Sequence, residues 1–144
     1  VFYKIYKWII ERNLTAICFK DLSCMFSNCS KADESDFLSA KLVYGEELLS
    51  TDVYSACASD MMSDVLAFVK DQGVLLTGLV NPQVIRTADM MDMRCVVLVR
   101  GKKATPEMTE LAESISIVLM ESDMRMYDAC GRLFTAGLVG ASVQ

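Results

Sequence analysis

The sequence predicts an α/β protein in which a mostly parallel β-sheet is covered by helices on both faces. From residue 40 onward, short apolar runs alternate with amphipathic segments of helical length. Several of the runs are apolar on both faces, as buried parallel strands are. Two of the amphipathic segments open with a capping residue followed by proline, which is typical of a helix start. Strands and helices that alternate in this way build an α/β sheet.

The apolar runs place five predicted strands. "AKLVYG" at 40–45 is the first, and "DVYSACAS" at 52–59 is the second, with small residues at its end. "VLLTGL" at 74–79 and "MRCVVLVRG" at 93–101 have no polar face and are predicted to be buried. "ISIVLM" at 115–120 is the last strand of the series.

The first two predicted helices follow the second and third strands. One covers 59–73, with Ser59 as its cap and Gly73 at its end. Its apolar residues recur at spacings of three and four and predict one buried face, formed by Met61, Met62, Val65, Leu66 and Val69. The other begins at Asn81-Pro82, a capping side chain followed by proline, and runs to about Met91.

The last two predicted helices use the same start signals. One covers 105–114, with Thr105 as its cap and Pro106 in the first turn. The closing helix covers 122–137 and is capped by Ser122. Its spacing places five side chains on one face: Met126, Cys130, Leu133, Phe134 and Gly137.

Charge and composition exclude several classes of function. The net charge is −5 at pH 7, and this balance argues against non-specific nucleic-acid binding, which depends on Lys and Arg neutralising phosphates. The chain contains no histidine. A Ser-His-Asp triad, a Cys-His pair and a histidine-bearing zinc site are therefore excluded.

The six cysteines give no pattern of a metal site. None forms a Cys-x-x-Cys pair, and the last three stand alone in the apolar stretches "SACAS", "RCVVLV" and "YDACGRL". Free buried thiols have this distribution, since cysteine packs as a small apolar residue. The sequence predicts no metal and no cofactor.

The N-terminal stretch differs in charge from the rest. Residues 1–34 carry five Lys or Arg and four Asp or Glu (+1), whereas 35–144 carry nine and fifteen (−6). We therefore divide the chain into an arm, 1–34, and a domain, 35–144. Charged residues interrupt the apolar start, so neither a membrane span nor a signal peptide is predicted, and we expect a cytoplasmic protein. The missing initiator Met suggests a fragment or a trimmed chain.

Five segments of the domain resemble the DRTGG-domain family in order and spacing: "AKLVYGEEL", "SACASDMMSDVLAF", "LLTGLVNPQVIRTADM", "VVLVRGKKATPEMTELA" and "MYDACGRLFTAGL". The likeness spans about 37–140 and is greatest to the short stand-alone members, often labelled HPr-kinase-like. It implies a small α/β domain similar to the N-terminal domains of HPr kinase and Mur ligases. Relatives fused to phosphotransacetylases, or beside CBS domains in pyrophosphatases, look like regulatory or dimerising modules.

Two departures from the family limit what this resemblance implies. The string Asp-Arg-Thr-Gly-Gly is absent, and only "TGL" at 77–79 resembles it. No Gly-x-x-x-x-Gly-Lys-Ser/Thr loop occurs either, so a kinase label has no support in this chain.

Three segments that follow predicted strands are candidate ligand sites, because ligands of open α/β sheets bind at the carboxyl ends of strands. The first is "ASDMMSD", in which Asp60 and Asp64 are four apart and would share a helix face. Such a pair could bind a hard cation or act in acid–base catalysis. The alternative is that one aspartate caps the helix and the other is solvated.

The second segment combines a strand end with a helix start. Thr77 and Gly78 close the strand, and Asn81 opens a helix whose first amides attract anions. Gln83 and Arg86 lie within the first turns, and Arg86 could reach a phosphate. The alternative is that Asn81 only caps the helix and Arg86 pairs with Asp60, Asp64 or Asp89.

The third segment is "VRGKKATPE", which carries Arg100, Lys102 and Lys103 between a strand and a helix start. Three cations could bind a nucleotide phosphate or another anionic group. The alternative is a solvated turn.

The closing helix is predicted to form a dimer surface. Its apolar stripe is broader than one sheet face needs, and we assign Met124, Tyr127 and Phe134 to a homodimer interface. The resulting hypothesis is a non-catalytic regulatory module that dimerises and senses a small anionic metabolite or nucleotide, or serves a partner enzyme. The alternatives are a metal-assisted phosphoryl-transfer enzyme or accessory subunit that uses Asp60 and Asp64, and a pure protein–protein adaptor.

Overall fold

The computed structural model describes residues 17–18, 40–68 and 73–140. The strands in chain order are β1 (Ile17–Cys18), β2 (Ala40–Tyr44), β3 (Asp52–Val53), β4 (Ser55–Ala58), β5 (Gly73–Thr77), β6 (Cys95–Leu98), β7 (Val118–Ser122) and β8 (Val139–Gly140). The helices are α1 (Met62–Phe68), α2 (Pro82–Met90), α3 (Pro106–Ile115) and α4 (Met126–Thr135), and a 3₁₀ helix covers Glu46–Leu48.

Six strands form one sheet in the order β2-β7-β6-β5-β4-β8. The strands β4 to β8 run parallel to one another, whereas β2 is antiparallel to β7 and pairs Ala40 with Ser122. The predicted α/β class with a mostly parallel sheet is therefore confirmed. Since β4, β5, β6 and β7 all point the same way, their last residues meet along one side of the sheet, which we call the carboxyl edge.

The helices of the described residues lie on both faces of this sheet. Helices α1, α2 and α3 cover one face, where Val65, Ile85 and Met108 are buried. Helix α4 covers the other face through Leu133 and its neighbours. Every residue of β5, β6 and β7 is buried, which explains why these strands have no polar face in the sequence.

The second predicted strand is two strands in the structure. Asp52–Val53 pairs antiparallel with Ile17–Cys18 in a separate two-stranded sheet, and only Ser55–Ala58 joins the main sheet. Tyr54 between them is 49% exposed. An unbroken run of strand-forming residues does not reveal that the chain leaves one sheet and enters another. The pairing also places residues 17–18 of the predicted arm against the domain.

Helix α1 differs from its prediction in its start and in its buried face. It begins at Met62, and Ser59 accepts a hydrogen bond from the Met61 N–H in the turn before it. Val65 is buried and Met62 packs against the core, but Met61 and Leu66 are exposed. The apolar face that this helix buries is therefore narrower than the sequence predicted. Val69 lies outside the described residues, and Gly73 is the first residue of β5.

Two of the predicted helix caps are confirmed and the last is wrong. The side chains of Asn81 and Thr105 accept hydrogen bonds from the N–H groups of Gln83 and Met108. Ser122, in contrast, is the buried last residue of β7, and α4 begins four residues later, at Met126. Its hydroxyl accepts a hydrogen bond from the Met124 N–H at 3.2 Å and so stabilises a turn. A serine in such a turn cannot be distinguished in the sequence from a serine that caps a helix.

The last predicted strand, 115–120, begins in the structure at Val118, three residues after its predicted start. Ile115 is the last residue of α3, and the capping residue Ser116 that follows it is in the left-handed conformation with φ of 59°. Strand β7 then extends to Glu121 and Ser122. In the part of the chain that the structure describes, no helix has the length and apolarity needed to span a bilayer.

Cys57, Cys95 and Cys130 are free thiols. Cys95 is fully enclosed in β6, and burial raises the pKa of its thiol. Burial also raises the pKa values of Cys57 and Cys130, which are half-buried. These shifts leave the thiols protonated and weakly nucleophilic near neutral pH, in agreement with a packing role. The N-terminal cysteine side chains lie outside the described residues.

Candidate functional site

Three neighbouring strands bring polar side chains together at the carboxyl edge. Asp60 follows β4, Thr77 ends β5, and Arg100 follows β6. Because these strands are adjacent and parallel, residues far apart in sequence converge beyond their ends. Four of the nine predicted ligand-binding residues, the three above and Gly78, meet in one cluster, which we call the edge cluster.

The carboxylate of Asp60 is the centre of the edge cluster. Its Oδ1 accepts hydrogen bonds from the Gly78 N–H at 2.7 Å and from the Thr77 hydroxyl at 3.0 Å. Its Oδ2 accepts from Nη2 of Arg100 at 2.6 Å. Thr77 is fully buried, and its hydroxyl oxygen in turn accepts from the Leu79 N–H. Donors of three chemical kinds therefore bind one anionic group.

Gly78 is required by the position of the arginine. A Cβ on residue 78 would overlap the guanidinium of Arg100, so any larger side chain would push that group away from Asp60. In the sequence, this glycine is visible only as the end of a strand.

The backbone of Arg100 adopts an uncommon conformation. Its φ is 64° and that of Gly101 is 68°, so two consecutive residues lie in the left-handed region. Hydrogen bonds hold this turn, since the Arg100 N–H donates to the Met124 carbonyl at 2.7 Å and the Gly101 N–H to that of Ser122 at 3.0 Å. The edge cluster is thus joined through the backbone to the segment that leads into α4.

The edge cluster stabilises the charged form of Asp60. Burial raises the pKa of this carboxyl group, but the hydrogen bonds from Gly78, Thr77 and Arg100 and the arginine charge outweigh it, so the pKa lies below its usual value. A carboxyl with a lowered pKa is a weak base. Asp60 is therefore poorly suited to accept a proton near neutral pH.

We expect the stabilising effect of Asp60 to depend on pH. Its folded-state pKa is below the unfolded value of about 3.9, so the stabilisation is fully present above that value and is lost as the pH falls through the folded-state pKa. The free energy of unfolding of wild type and Asp60→Asn, measured in urea from pH 2 to 7, should differ at pH 6 and converge in acid.

Asp64→Asn is the matched control for this measurement. Asp64 is exposed on α1 and makes no ion pair within the described residues. Its replacement should change stability by less than about 0.5 kcal/mol, as at most surface positions. An Asp60→Asn effect that stayed constant down to pH 2 would contradict the role of the charge.

Asp60 and Asp64 do not share a helix face. The helix begins at Met62, so Asp60 precedes it and turns its carboxylate to the edge cluster. The predicted geometry of a carboxylate pair was wrong because the start of α1 was placed too early. Among the described residues, no group of three acidic, cysteine or histidine side chains could hold a metal ion.

Within the described residues, the candidates at the start of α2 form no hydrogen bond or ion pair with the edge cluster. Asn81 caps the helix by accepting from the Gln83 N–H at 2.8 Å, and Gln83 is exposed. Arg86 is also exposed and forms no ion pair in the ranges that the structure describes. The alternative in which Arg86 pairs with a nearby aspartate is therefore wrong.

Carboxylates neutralise part of the positive charge of the third candidate segment. Arg100 pairs with Asp60, and Lys103 lies 3.4 Å from Glu121. Glu121 is only 8% exposed and also accepts a hydrogen bond from the Ala104 N–H at 2.7 Å. Sequence reasoning missed Glu121, although an acidic residue directly after the apolar run "ISIVLM" was a usable signal. Lys102 is exposed and has no ion pair among the described residues.

A second surface feature is an apolar groove beside α4, with a volume of about 370 Å³. Its lining includes the small residues Ala56, Ala58 and Gly140 and the aromatic residues Tyr127 and Phe134. These two aromatic side chains are 88% and 68% exposed. Met124 is half-buried and packs against the core, so the aromatic pair carries most of the predicted dimer surface.

Comparison with solved structures supports the fold. The chain is similar to the CBS and DRTGG domains of the regulatory region of Clostridium perfringens pyrophosphatase, a structure complexed with the activator diadenosine tetraphosphate. The TM-score is 0.60 at 12% sequence identity, and the match covers 94% of this chain and 69% of that one. No family model and no curated protein matches the sequence. The chain therefore has a DRTGG-like α/β fold.

Proposed function

We propose that this chain is a non-catalytic regulatory module that binds a small anionic metabolite or nucleotide at the carboxyl edge of its sheet and acts as a homodimer. The observation that carries the proposal is the edge cluster, in which a buried hydroxyl, a backbone N–H and a guanidinium converge on one carboxylate. Arg100 binds the carboxylate of Asp60 through one nitrogen, and its guanidinium has further N–H donors with which it can bind the carboxylate or phosphate of a ligand. The similar pyrophosphatase region binds a nucleotide activator, which favours the same class of ligand here.

The ligand would meet further cations at this edge. Lys102 lies two residues after Arg100, and Arg86 lies on α2, the helix that begins four residues after Gly78. Both are exposed and lack ion pairs within the described residues, so they can bind a phosphate without breaking a contact there. We assign Arg100 to the fixed part of the site and these two cations to its adaptable part.

The absence of catalysis is part of the proposal. Asp60, the acidic side chain in the edge cluster, is engaged by three donors and has a lowered pKa, so it is poorly suited to accept a proton. Asp64 lies on the exposed surface of α1 and contributes no second carboxylate to the cluster. We therefore expect ligand binding without turnover.

Thermal unfolding with defined ligands tests this function. Diadenosine tetraphosphate, ATP, ADP and pyrophosphate are the probes, and adenosine is the uncharged control. A ligand present at roughly 100 times its Kd should stabilise the fold by about 2.7 kcal/mol. Arg86→Ala and Lys102→Ala should weaken this effect while the unliganded protein keeps its melting temperature, because both side chains are exposed.

Other outcomes would support the alternatives. If none of the four anions shifts the melting temperature at millimolar concentration, ligand sensing is wrong and the adaptor hypothesis gains support. ATP turnover that requires a divalent metal and is lost in Asp64→Ala would establish the phosphoryl-transfer alternative.

The proposed homodimer rests on the exposed face of α4. Tyr127 and Phe134 leave large aromatic surfaces in solvent beside an apolar groove, and such patches are typical of interfaces. Sedimentation at micromolar concentration should show a dimer, and Phe134→Asp should dissociate it. Because Phe134 is 68% exposed, this variant should remain folded.

A further inference from the structure

The exposed stripe of α4 has a symmetric arrangement along the helix. Tyr127, Gly131 and Phe134 follow the spacing of one helix face and are all exposed. Tyr127 and Phe134 stand equally far in sequence from a midpoint between Cys130 and Gly131. A second helix that crosses antiparallel at this midpoint would place each tyrosine against the other copy's phenylalanine. Aromatic pairs of this kind contribute beyond their buried area.

The midpoint of the stripe can accommodate a close helix crossing. A Cβ added to Gly131 would meet no atom within 4 Å, so the surface above it is open. Glycine lets another backbone approach closely. The groove beside the stripe is lined in part by small residues and can receive an aromatic ring from a second copy.

Charge decides the direction of the second helix. Asp128 lies in the first turn of α4 and Arg132 in the last, four residues apart and therefore on one flank of the stripe. In an antiparallel pair centred at the midpoint, Asp128 faces Arg132 of the second copy, and the contact occurs twice. In a parallel two-fold pair this flank would face the opposite flank of the second helix, so these ion pairs would not form. The five N–H donors of the guanidinium allow this contact in addition to those within its own chain.

We propose that two copies of this chain pair through antiparallel α4 helices, with Tyr127 of each packed on Phe134 of the other and Asp128 of each paired with Arg132 of the other. The proposal rests on the homodimer of the proposed function and defines its geometry. The proposed occupant of the apolar groove is a second copy of the chain. The reason is that one surface carries the exposed aromatic side chains, the groove that can receive them and charges of opposite sign. Such a self-complementary face forms a two-fold interface.

Charge reversal tests the geometry. We expect Asp128→Arg and Arg132→Asp each to raise the dimer Kd about tenfold, since two ion pairs are replaced by like charges. The double variant carries both reversals, restores opposite charges across the interface, and should return the Kd to near the wild-type value. Arg132→Gln is a milder variant if Arg132→Asp does not fold. Glu110→Arg, a reversal at an exposed position of α3 on the other face of the sheet, is the matched control.

Sedimentation equilibrium distinguishes the outcomes. A wild-type dimer that is weakened by each single reversal and regained in the double variant supports the antiparallel geometry. A wild-type dimer that neither single reversal weakens, or that the double variant does not regain, overturns this geometry and leaves dimerisation intact. A wild-type monomer at micromolar concentration overturns both. Thermal melts of every variant identify any loss of dimer that comes from unfolding.

Discussion

Replacing Gly73 with alanine should destabilise the fold by about 2 to 3 kcal/mol, as overpacking of a buried site does. Gly73 begins β5 and pairs with Ser55 of β4 in the parallel ladder. A Cβ on residue 73 would lie 2.7 Å from the Ser55 carbonyl oxygen, closer than packed atoms approach. Both residues are buried, and β5 is held on its other side by β6, so the strands cannot move apart without breaking the sheet.

Gly140→Ala provides the control for this substitution. Gly140 also lies in a strand that pairs with β4, but a Cβ there would meet no atom within 4 Å. We expect its replacement to change stability by less than about 0.5 kcal/mol. Urea denaturation should show a lower midpoint for Gly73→Ala with an unchanged slope. Equal effects of the two substitutions would mean that the contact between residues 55 and 73 is not tight.

Truncation of Leu133 should have the other large effect, a loss of about 2 to 5 kcal/mol, the range for a buried leucine changed to alanine. Leu133 is 1% exposed and anchors α4 on the sheet. Its neighbour Phe134 is 68% exposed. Leu133 therefore lies on the side of α4 that faces the sheet, and Phe134 lies on the side that faces solvent.

The matched variant Phe134→Ala should behave differently. At concentrations where the protein is monomeric, it should change the free energy of unfolding by less than about 0.5 kcal/mol. It should instead raise the dimer Kd measured by sedimentation. If Phe134→Ala destabilises the monomer as much as Leu133→Ala does, the phenylalanine is a core residue and the interface assignment is wrong.

The features that local chemistry controls were predictable from the sequence. Asn81-Pro82 and Thr105-Pro106 start helices because a capping side chain and a fixed proline φ act within a few residues. The apolar runs located β5 and β6 because both strands are buried on each face. The opposite direction of β2 was not predictable, since the alternation of elements does not encode strand order.

Errors arose where one residue type serves two local structures. Ser122 precedes a helix and was assigned as its cap, yet it ends a buried strand and binds a turn N–H. Ser59 likewise binds the N–H of Met61 and not a group inside the helix. Hydroxyl side chains form similar bonds in turns and in caps, so the sequence alone cannot place the helix start.

The sequence predicted the members of the edge cluster but not the bonds between them. The rule that parallel strands present ligands at their carboxyl ends selected Asp60, Thr77, Gly78 and Arg100. The sequence did not reveal that Asp60 is the anion bound by Arg100, because 40 positions separate them. The same is true of Lys103 and Glu121, which meet only when β6 and β7 pair.

The antiparallel strand at the sheet edge affects how the chain folds during synthesis. Ala40 pairs with Ser122, so β2 is made 82 residues before its partner position (122 − 40). At about 5 to 20 residues per second, a ribosome needs roughly 4 to 16 seconds to cover that distance. Strands β4, β5 and β6 can pair within this interval, since they are closer in sequence. The first strand of the main sheet to be translated is therefore among the last to join it. Until β7 has been made, the apolar residues of β2 have no strand of the main sheet to pack beside.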